Sequence, residues 1–272
     1  MTCVSQFRVR AGFLRGLVVV VAVTVAGTTV PSVADSTGAS TAERNDQARA
    51  RPLHGITIAL DPGHQLGNHR YSREINRPVP AGGFTKPCNT TGTATSSGTP
   101  EASVNFGLSL AVKKRLEALG ARVRMTRNTN SENRWGPCVD ARGRFGKRVA
   151  ARLMVSLHAD GASSSGYGFH VIAPARRKPW TSDIATPSLR LAKILRGSLV
   201  RNHVPRSNYT AGRTGLDVRS DLGTLNMSDV PVAMIEIGNM RNTRDASRMT
   251  SASGRARYAN AVVRGIRTYL RR

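Results

Sequence analysis

Ile58-Ala59-Leu60-Asp61-Pro62-Gly63-His64 and Leu153-Met154-Val155-Ser156-Leu157-His158-Ala159-Asp160-Gly161 are two apolar runs, each stopped by turn-forming residues and each delivering a histidine at its end. Short continuous apolar runs bounded in this way predict strands buried on both faces. Between them, Pro100-Glu101 opens a helix that carries Val104, Leu108, Ala111, Val112, Leu116 and Leu119 on one face and meets Gly120 past its end. Arg122 to Thr126 then predicts a strand, and Val139 to Ala151 a second helix leading into the His158 strand. Helix followed by strand, twice over, is the alternation of an α/β sheet. Further along, Gly168 to Ala173 predicts a strand, Pro187 to Arg201 a helix, Val230 to Ile237 another buried strand and Gly254 to Leu270 a closing amphipathic helix. The expected fold is a single α/β domain over residues 53–272, with a mostly parallel or mixed twisted sheet of about six strands flanked by helices.

Residues 65–100 are rich in Gly, Pro, Asn, Thr and Ser and show no period, which predicts a long surface excursion tied down by Cys88. Residues 35–52 are polar and Ala-rich and predict a flexible tether. Ahead of them, Arg8, Arg10 and Arg15 precede the apolar run Leu17 to Ala26, and Val30-Pro31-Ser32-Val33-Ala34 closes with a small-x-small pattern. Positive segment, apolar segment and cleavage pattern occur in the order of a secretory signal peptide over residues 1–34, with cleavage near Ala34. That predicts a secreted protein, in the periplasm or cell wall. Its loss would leave Cys88 and Cys138, which have one intramolecular pairing available in an oxidising compartment. Neither has a partner at the Cys-x-x-Cys spacing of a metal site.

The 272 residues include 41 Lys plus Arg against 16 Asp plus Glu, a formal net charge of +25, with 39% hydrophobic residues. That apolar content can bury a core, which excludes a disordered basic tail as the whole protein. The Leu17 to Ala26 run is about half of what a spanning helix requires, which excludes a multi-pass membrane protein. Removing residues 1–34 takes three Arg from the net of +25 and leaves +22. A charge of that size favours anionic polymers through its long-range field. Nucleic acid is the obvious rival for a pI near 11.6, and the export signal, low aromatic content and lack of a nucleic-acid motif oppose it.

Three strands end in, or carry, residues suited to a metal: His64, His158, and Glu236 within Met234-Ile235-Glu236-Ile237-Gly238. Functional groups in open α/β sheets gather at the carboxyl ends of strands. Glu101, at the start of its helix, comes to the same rim if that helix packs on the sheet. Two histidines and one carboxylate with an open fourth position form a catalytic zinc shell, and a further carboxylate can take a proton from water. A carboxylate flanked by Met234, Ile235 and Ile237 in a buried strand is costly unless paired or metal-facing. His54, His69, His170 and His203 lack such a setting and stay unassigned.

Residues 58–64, Glu101-Ala102-Ser103-Val104-Asn105 with the stretch 116–127, residues 155–160, and the stretch 230–242 resemble, in order, the motifs of the zinc-dependent N-acetylmuramoyl-L-alanine amidases. The resemblance spans nearly the whole chain after residue 53. It implies one Zn²⁺ held by His64, Glu101 and His158, and Glu236 as the catalytic carboxylate. It implies hydrolysis of the amide between N-acetylmuramic acid and the L-alanine of the stem peptide, in peptidoglycan or muramyl peptides. Arg142, Arg219 and Leu222 also match, with Arg219 placing substrate or an active-site loop. The residues themselves offer Asp61 or nearby carbonyls to orient His64, with a plain turn at Asp61-Pro62-Gly63 as the equal alternative. Glu74 lies in the long 65–100 segment as a competing ligand, and Glu101 is preferred because the helix after it also matches. Expected partners are peptidoglycan or muramyl-peptide fragments and anionic wall polymers, with no nucleic acid and a monomeric state. The alternatives are a zinc peptidase of stem-peptide crosslinks and a non-catalytic basic wall-binding protein.

Overall fold

The structure, a computed structural model, describes residues 51–271. The expected export signal and nearly all of the tether lie outside the described residues. No helix among the described residues is long and apolar enough to cross a membrane.

In chain order the elements are β1 (Thr57–Pro62), α1 (Ser72–Asn76), β2 (Pro78–Pro80), β3 (Thr85–Pro87), α2 (Glu101–Ala118), β4 (Arg122–Met125), α3 (Val139–Gly143), α4 (Phe145–Arg148), β5 (Met154–Asp160), β6 (His170–Pro174), α5 (Ala185–Arg201), β7 (Leu216–Arg219), α6 (Gly223–Asn226), β8 (Val232–Asn239), α7 (Thr243–Thr250) and α8 (Ala252–Leu270). Six strands form one sheet in the order β4-β1-β5-β8-β6-β7. Four run parallel, β6 pairs antiparallel with β8, and β7 follows β6. The sheet is therefore mixed and mostly parallel.

Successive side chains on a strand point to opposite faces, and this alternation divides the sheet by chemistry. Ile58, Leu60, Val155, Leu157, Ala233, Ile235, Ile237, Val171 and Ala173 belong to one face and pack in a single core with residues of α2, α5 and α8. Val104, Leu108, Val112 and Leu116 supply the buried stripe of α2 at helical spacing. Tyr258, Val262, Ile266 and Tyr269 do the same for α8. On the opposite face Ala59, Met154, Val232, Met234 and Ile172 form a smaller core with Phe145, Ile184 and Leu225. The polar residues of that second face, Asp61, Ser156, His158, Glu236 and His170, follow in the same alternation. A one-residue slip in any of these strands would exchange its polar side chains for core ones.

Several elements differ from the sequence reading. The segment 65–100 is a packed layer rather than a surface excursion: it holds α1 and the β2–β3 hairpin, and Asn68, Val79, Ala81, Cys88, Asn89 and Thr95 are buried. Cys88 and Cys138 form a disulfide, 50 residues apart in sequence, beside Val79. The helix expected over Val139 to Ala151 is two short pieces, α3 and α4, because the chain turns at Arg144 while the Arg142 side chain is drawn inward. β7 and α7 have no apolar period to announce them. β7 is half-exposed at the sheet edge, and α7 buries only Asp245 and Met249 while Asn242 caps its start by accepting from Arg244 N and Asp245 N.

Candidate active site

β1 ends at Pro62, and His64 follows in a left-handed conformation with φ of 58°. A non-glycine residue there is held against its preference. Two buried arginines supply the restraint. Arg142 donates to the carbonyls of Pro62 (2.7 Å), His64 (2.7 Å), Gly136 (3.1 Å) and Pro137 (2.8 Å), and pairs with Asp61 at 2.6 Å. Arg127 donates to the carbonyls of Pro62 (3.0 Å), Gly63 (3.1 Å) and Ala102 (2.8 Å), tying the β1 turn to the first turn of α2. Five donors in a rigid fork suit arginine to gathering several carbonyls at once.

Asp61 is fully buried and accepts from Thr126 Oγ1 (2.6 Å) and Ser156 Oγ (2.7 Å) in addition to Arg142. Burial alone would raise its pKa, but Arg142 and His158 and the two hydroxyls outweigh that and bring it down to about 2. For Arg127, burial and the neighbouring Arg142 lower the pKa to about 9, with Asp61 opposing. Asp61 therefore acts on His64 through Arg142. The imidazole itself is oriented by the Thr90 carbonyl, 3.0 Å from Nδ1.

Glu101, the first residue of α2, is buried with its carboxylate between the two histidines. Its Oε2 lies 3.1 Å from His64 Nε2 and its Oε1 3.2 Å from His158 Nδ1. The same oxygens accept from Thr93 N, Ala159 N and Asn105 Nδ2, each at 3.0 Å. Burial works against this carboxylate, yet His64 and His158 hold it ionised well below the usual range. His64 shows the complementary shift: burial would lower its pKa, and Glu101 raises it. The imidazoles meet edge to face at 4.8 Å, and one donor atom from each of His64, Glu101 and His158 lies within 4.8 Å of the others. Glu74 sits on α1 and has no place in this cluster.

A Cβ at Gly63 would fall 2.4 Å from the His158 ring, and one at Gly92 2.7 Å from Glu101 Oε2 and 2.9 Å from His64. Bare backbone at these two points leaves the donors room to converge. His64, Glu101, His158 and Glu236 share one cavity of about 400 Å³, with Leu222 and Met234 on its apolar side and Lys86 and Asp160 among its polar lining.

Glu236 stands in register with His158 on β5 and with His170 on β6. Its Oε2 is buried with no hydrogen-bond partner. Burial pushes its pKa well above the carboxylate range, the charges of Asp160 and Glu101 add to that, and Arg219 offsets only part. A carboxyl in such a setting is biased toward its neutral form.

A family model described as N-acetylmuramoyl-L-alanine amidase matches residues 58–268. The chain belongs to this amidase family. N-acetylmuramoyl-L-alanine amidase Rv3717 of Mycobacterium tuberculosis is 41% identical over 226 residues, covering 82% of this chain and 90% of that protein. Among solved structures, the amidase Ami1 of Mycobacterium smegmatis matches with a TM-score of 0.74 at 39% identity, covering 80% of this chain and 98% of the other. The apo form of Ami1 from Mycobacterium abscessus gives 0.74 at 40% identity, over 80% and 100%. The protein is thus an N-acetylmuramoyl-L-alanine amidase, with peptidoglycan as its class of substrate.

Other predicted positions sit differently in this amidase. Arg219, on the edge strand β7, forms a two-point ion pair with Asp221 (2.7 and 2.9 Å) and reaches Glu236 by its charge rather than by lining the cavity. Arg142 clamps the His64 turn. Sequence reading missed the group behind Glu236: Tyr209 donates to Asp160 Oδ2 at 2.7 Å, and His170 Nδ1 lies 3.4 Å from the same oxygen. Burial lowers the His170 pKa, with Asp160 opposing. Tyr209 and His170 carried no readable signal, because their closeness to Asp160 arises from the reversal of β6 and from a loop that folds back onto the site. Lys86, on β3, was equally illegible within an irregular segment.

Proposed function

We propose that the protein is a zinc-dependent amidase that is exported by its N-terminal segment, acts as a monomer on cell-wall peptidoglycan or its muramyl-peptide fragments, and serves wall turnover. The observation that carries the reading is the convergence of His64, Glu101 and His158 within 4.8 Å in the same cavity as the buried, unpartnered Oε2 of Glu236. Two imidazoles and a carboxylate are a donor set that suits zinc, and the bare backbone at Gly63 and Gly92 fits it. A zinc ion held there supplies Lewis acidity, which polarises a carbonyl and acidifies water.

The chain's own residues supply the rest. Thr90, Asn105 and the backbone amides of Thr93 and Ala159 fix the three donors in place. Glu236 accepts a proton from the attacking water and returns it to the nitrogen of the departing L-alanine. Asp160, steadied by Tyr209, stands beside Glu236 on the cavity wall. Leu222 and Met234 bound the cavity on the apolar side, where they exclude water from part of the substrate surface. The basic surface, with a net of +25 over the full chain, draws the enzyme to anionic wall polymers.

The test is mass spectrometry of a purified muramyl-peptide substrate incubated with zinc-loaded protein, beside a Glu236→Ala protein and a chelated sample. Release of an intact stem peptide with an L-alanine amino terminus, by the active zinc form alone, is the expected result. Cleavage within the crosslinks would indicate a peptidase, and unchanged substrate in every tube would overturn the catalytic assignment.

A further inference from the structure

One arginine and one lysine, Arg142 and Lys86, belong to the wall of the cavity that holds His64, Glu101, His158 and Glu236. Arg142 has nothing left to offer a ligand. Its Nε reaches the Pro137 carbonyl, its Nη1 the Asp61 carboxylate and the Pro62 carbonyl, and its Nη2 the carbonyls of His64 and Gly136, which takes up all five N–H groups. Lys86 is different. It is half-buried on β3, and its Nζ makes one hydrogen bond, to the Asp221 carbonyl at 2.9 Å. An ammonium has three donors, so two remain, and a carbonyl does not cancel its charge. The Asp221 carboxylate pairs with Arg219 instead, at two points (2.9 and 2.7 Å).

The backbone beneath this amine is well fixed. Lys86 is in register with Val79 across the β2–β3 hairpin, and Cys88, two residues on, is bonded to Cys138. Asn226 Nδ2 donates to the Ala81 carbonyl at 2.9 Å, and the Arg177 guanidinium lies over the Phe84 ring at 5.1 Å. The carbonyl that Lys86 reaches belongs to the residue just before Leu222 and Gly223, which line the same cavity. Asp160 and Glu236 make another part of the wall acidic. Lys86 is therefore the place on the cavity wall where an anionic group of the substrate finds a cation with open donors.

A muramyl peptide is neutral over its sugar and over its lactyl group, whose carboxyl is consumed in the scissile amide. Its anionic groups lie on the stem peptide beyond the L-alanine. We propose that Lys86 is a specificity-determining residue that binds the free carboxylate of the stem residue following the L-alanine, so that the enzyme favours stems that keep this group over stems in which it is amidated. The inference rests on the amidase reading of the cavity and deepens it. A charge-assisted hydrogen bond from an ammonium already positioned by its hairpin gains from a carboxylate what a neutral carboxamide cannot supply.

The experiment compares two substrates, N-acetylmuramyl-L-alanyl-γ-D-glutamyl-alanine amide and its isoglutamine counterpart, which differ only in one α-carboxyl, free in the first and amidated in the second. Values of kcat and KM are measured by mass spectrometry with the full folded, zinc-loaded protein as wild type, Lys86→Met, Lys86→Arg and, as a control for general charge, Lys193→Met at an exposed position on α5. Wild type should favour the free carboxylate by about ten-fold in kcat/KM, with the difference in KM. That ratio should fall to near one in Lys86→Met, persist in part in Lys86→Arg and stay unchanged in Lys193→Met. Calorimetric binding of both peptides to zinc-loaded Glu236→Gln protein, with and without Lys86→Met, reads the same preference without turnover. If wild type hydrolysed neither peptide, the amidase reading would fail, and the binding ratio would still judge Lys86. Lys86→Gln serves in place of Lys86→Met if thermal melts show that the latter does not fold. Equal handling of the two peptides by wild type, or a preference that survives loss of the Lys86 charge, would overturn the proposal. An equal loss on both peptides at an unchanged ratio would also overturn it and assign Lys86 to bracing the Asp221 segment alone.

Discussion

Glu101 holds both histidines while itself held by three donors, and so the carboxylates of this site divide by environment. Glu101 is kept ionised and Glu236 is pushed toward its neutral form. Glu236→Gln should accordingly leave bound metal unchanged and lower kcat by about 10² to 10⁴, the usual range for a positioned acid or base; metal analysis alongside single-turnover rates checks this. Asp61 gives a prediction of a different kind. Its pKa of about 2 lies below the ordinary 3.8, so the stabilisation it contributes is complete above pH 3.8 and is lost as pH falls toward 2. The amount is about 2 kcal/mol. Thermal melts between pH 5 and 2 should show that loss in wild type and a shallower acid slope in Asp61→Asn, whose stability at neutral pH is lower by about 3–5 kcal/mol for leaving Arg142 without its partner. His64, His158 and Glu236 were legible in the sequence because each interrupts or ends an apolar run. Arg127 and Arg142 were legible as matches to a motif but not as clamps, since their work is done on carbonyls, and every residue has one of those.

The elements divide in the same way. α2, α8 and the central strands announce themselves through periods of 3.6 or continuous apolar runs, and the structure places them as expected. α3 and α4 were read as one helix over Val139 to Ala151, and the structure breaks it at Arg144. The segment 65–100 misleads more deeply: its buried residues are Asn68, Asn89 and Thr95 as well as Val79 and Cys88, and a layer packed through polar side chains has no hydrophobic signature. Asn68 donates to the Thr90 carbonyl and accepts from Gly136 N, and Asn89 donates to the Pro137 carbonyl. That layer holds Thr90, which orients His64. Removing the Cys88–Cys138 bridge, whose ends are 50 residues apart, should cost about 4 kcal/mol on the loop-entropy model. Melts with and without reductant should differ by that amount.

At the scale of the whole molecule, the sheet presents an apolar face to the long helices and a face that turns polar toward the cavity of His64, Glu101, His158 and Glu236. Charge is distributed separately from both. The sequence total of +25 was legible at once, whereas the packing of α5 against α8, two neighbouring helices with four basic residues each and no acidic one, needed the fold. Association with anionic wall preparations should therefore weaken steeply as salt rises through the Debye screening range, while hydrolysis of a short uncharged muramyl-peptide analogue should change little; sedimentation binding assays and rates measured across the same salt series would check both. The disulfide also sets how this molecule responds to damage. Residues 89–137 lie inside a covalent ring that contains Glu101, all of α2 and β4 and Arg127, with Arg142 just past its far end and His64 well before its near one. A protease that cuts once inside that ring opens it without releasing a fragment, so a singly nicked enzyme keeps all its parts on one molecule until the bridge is reduced.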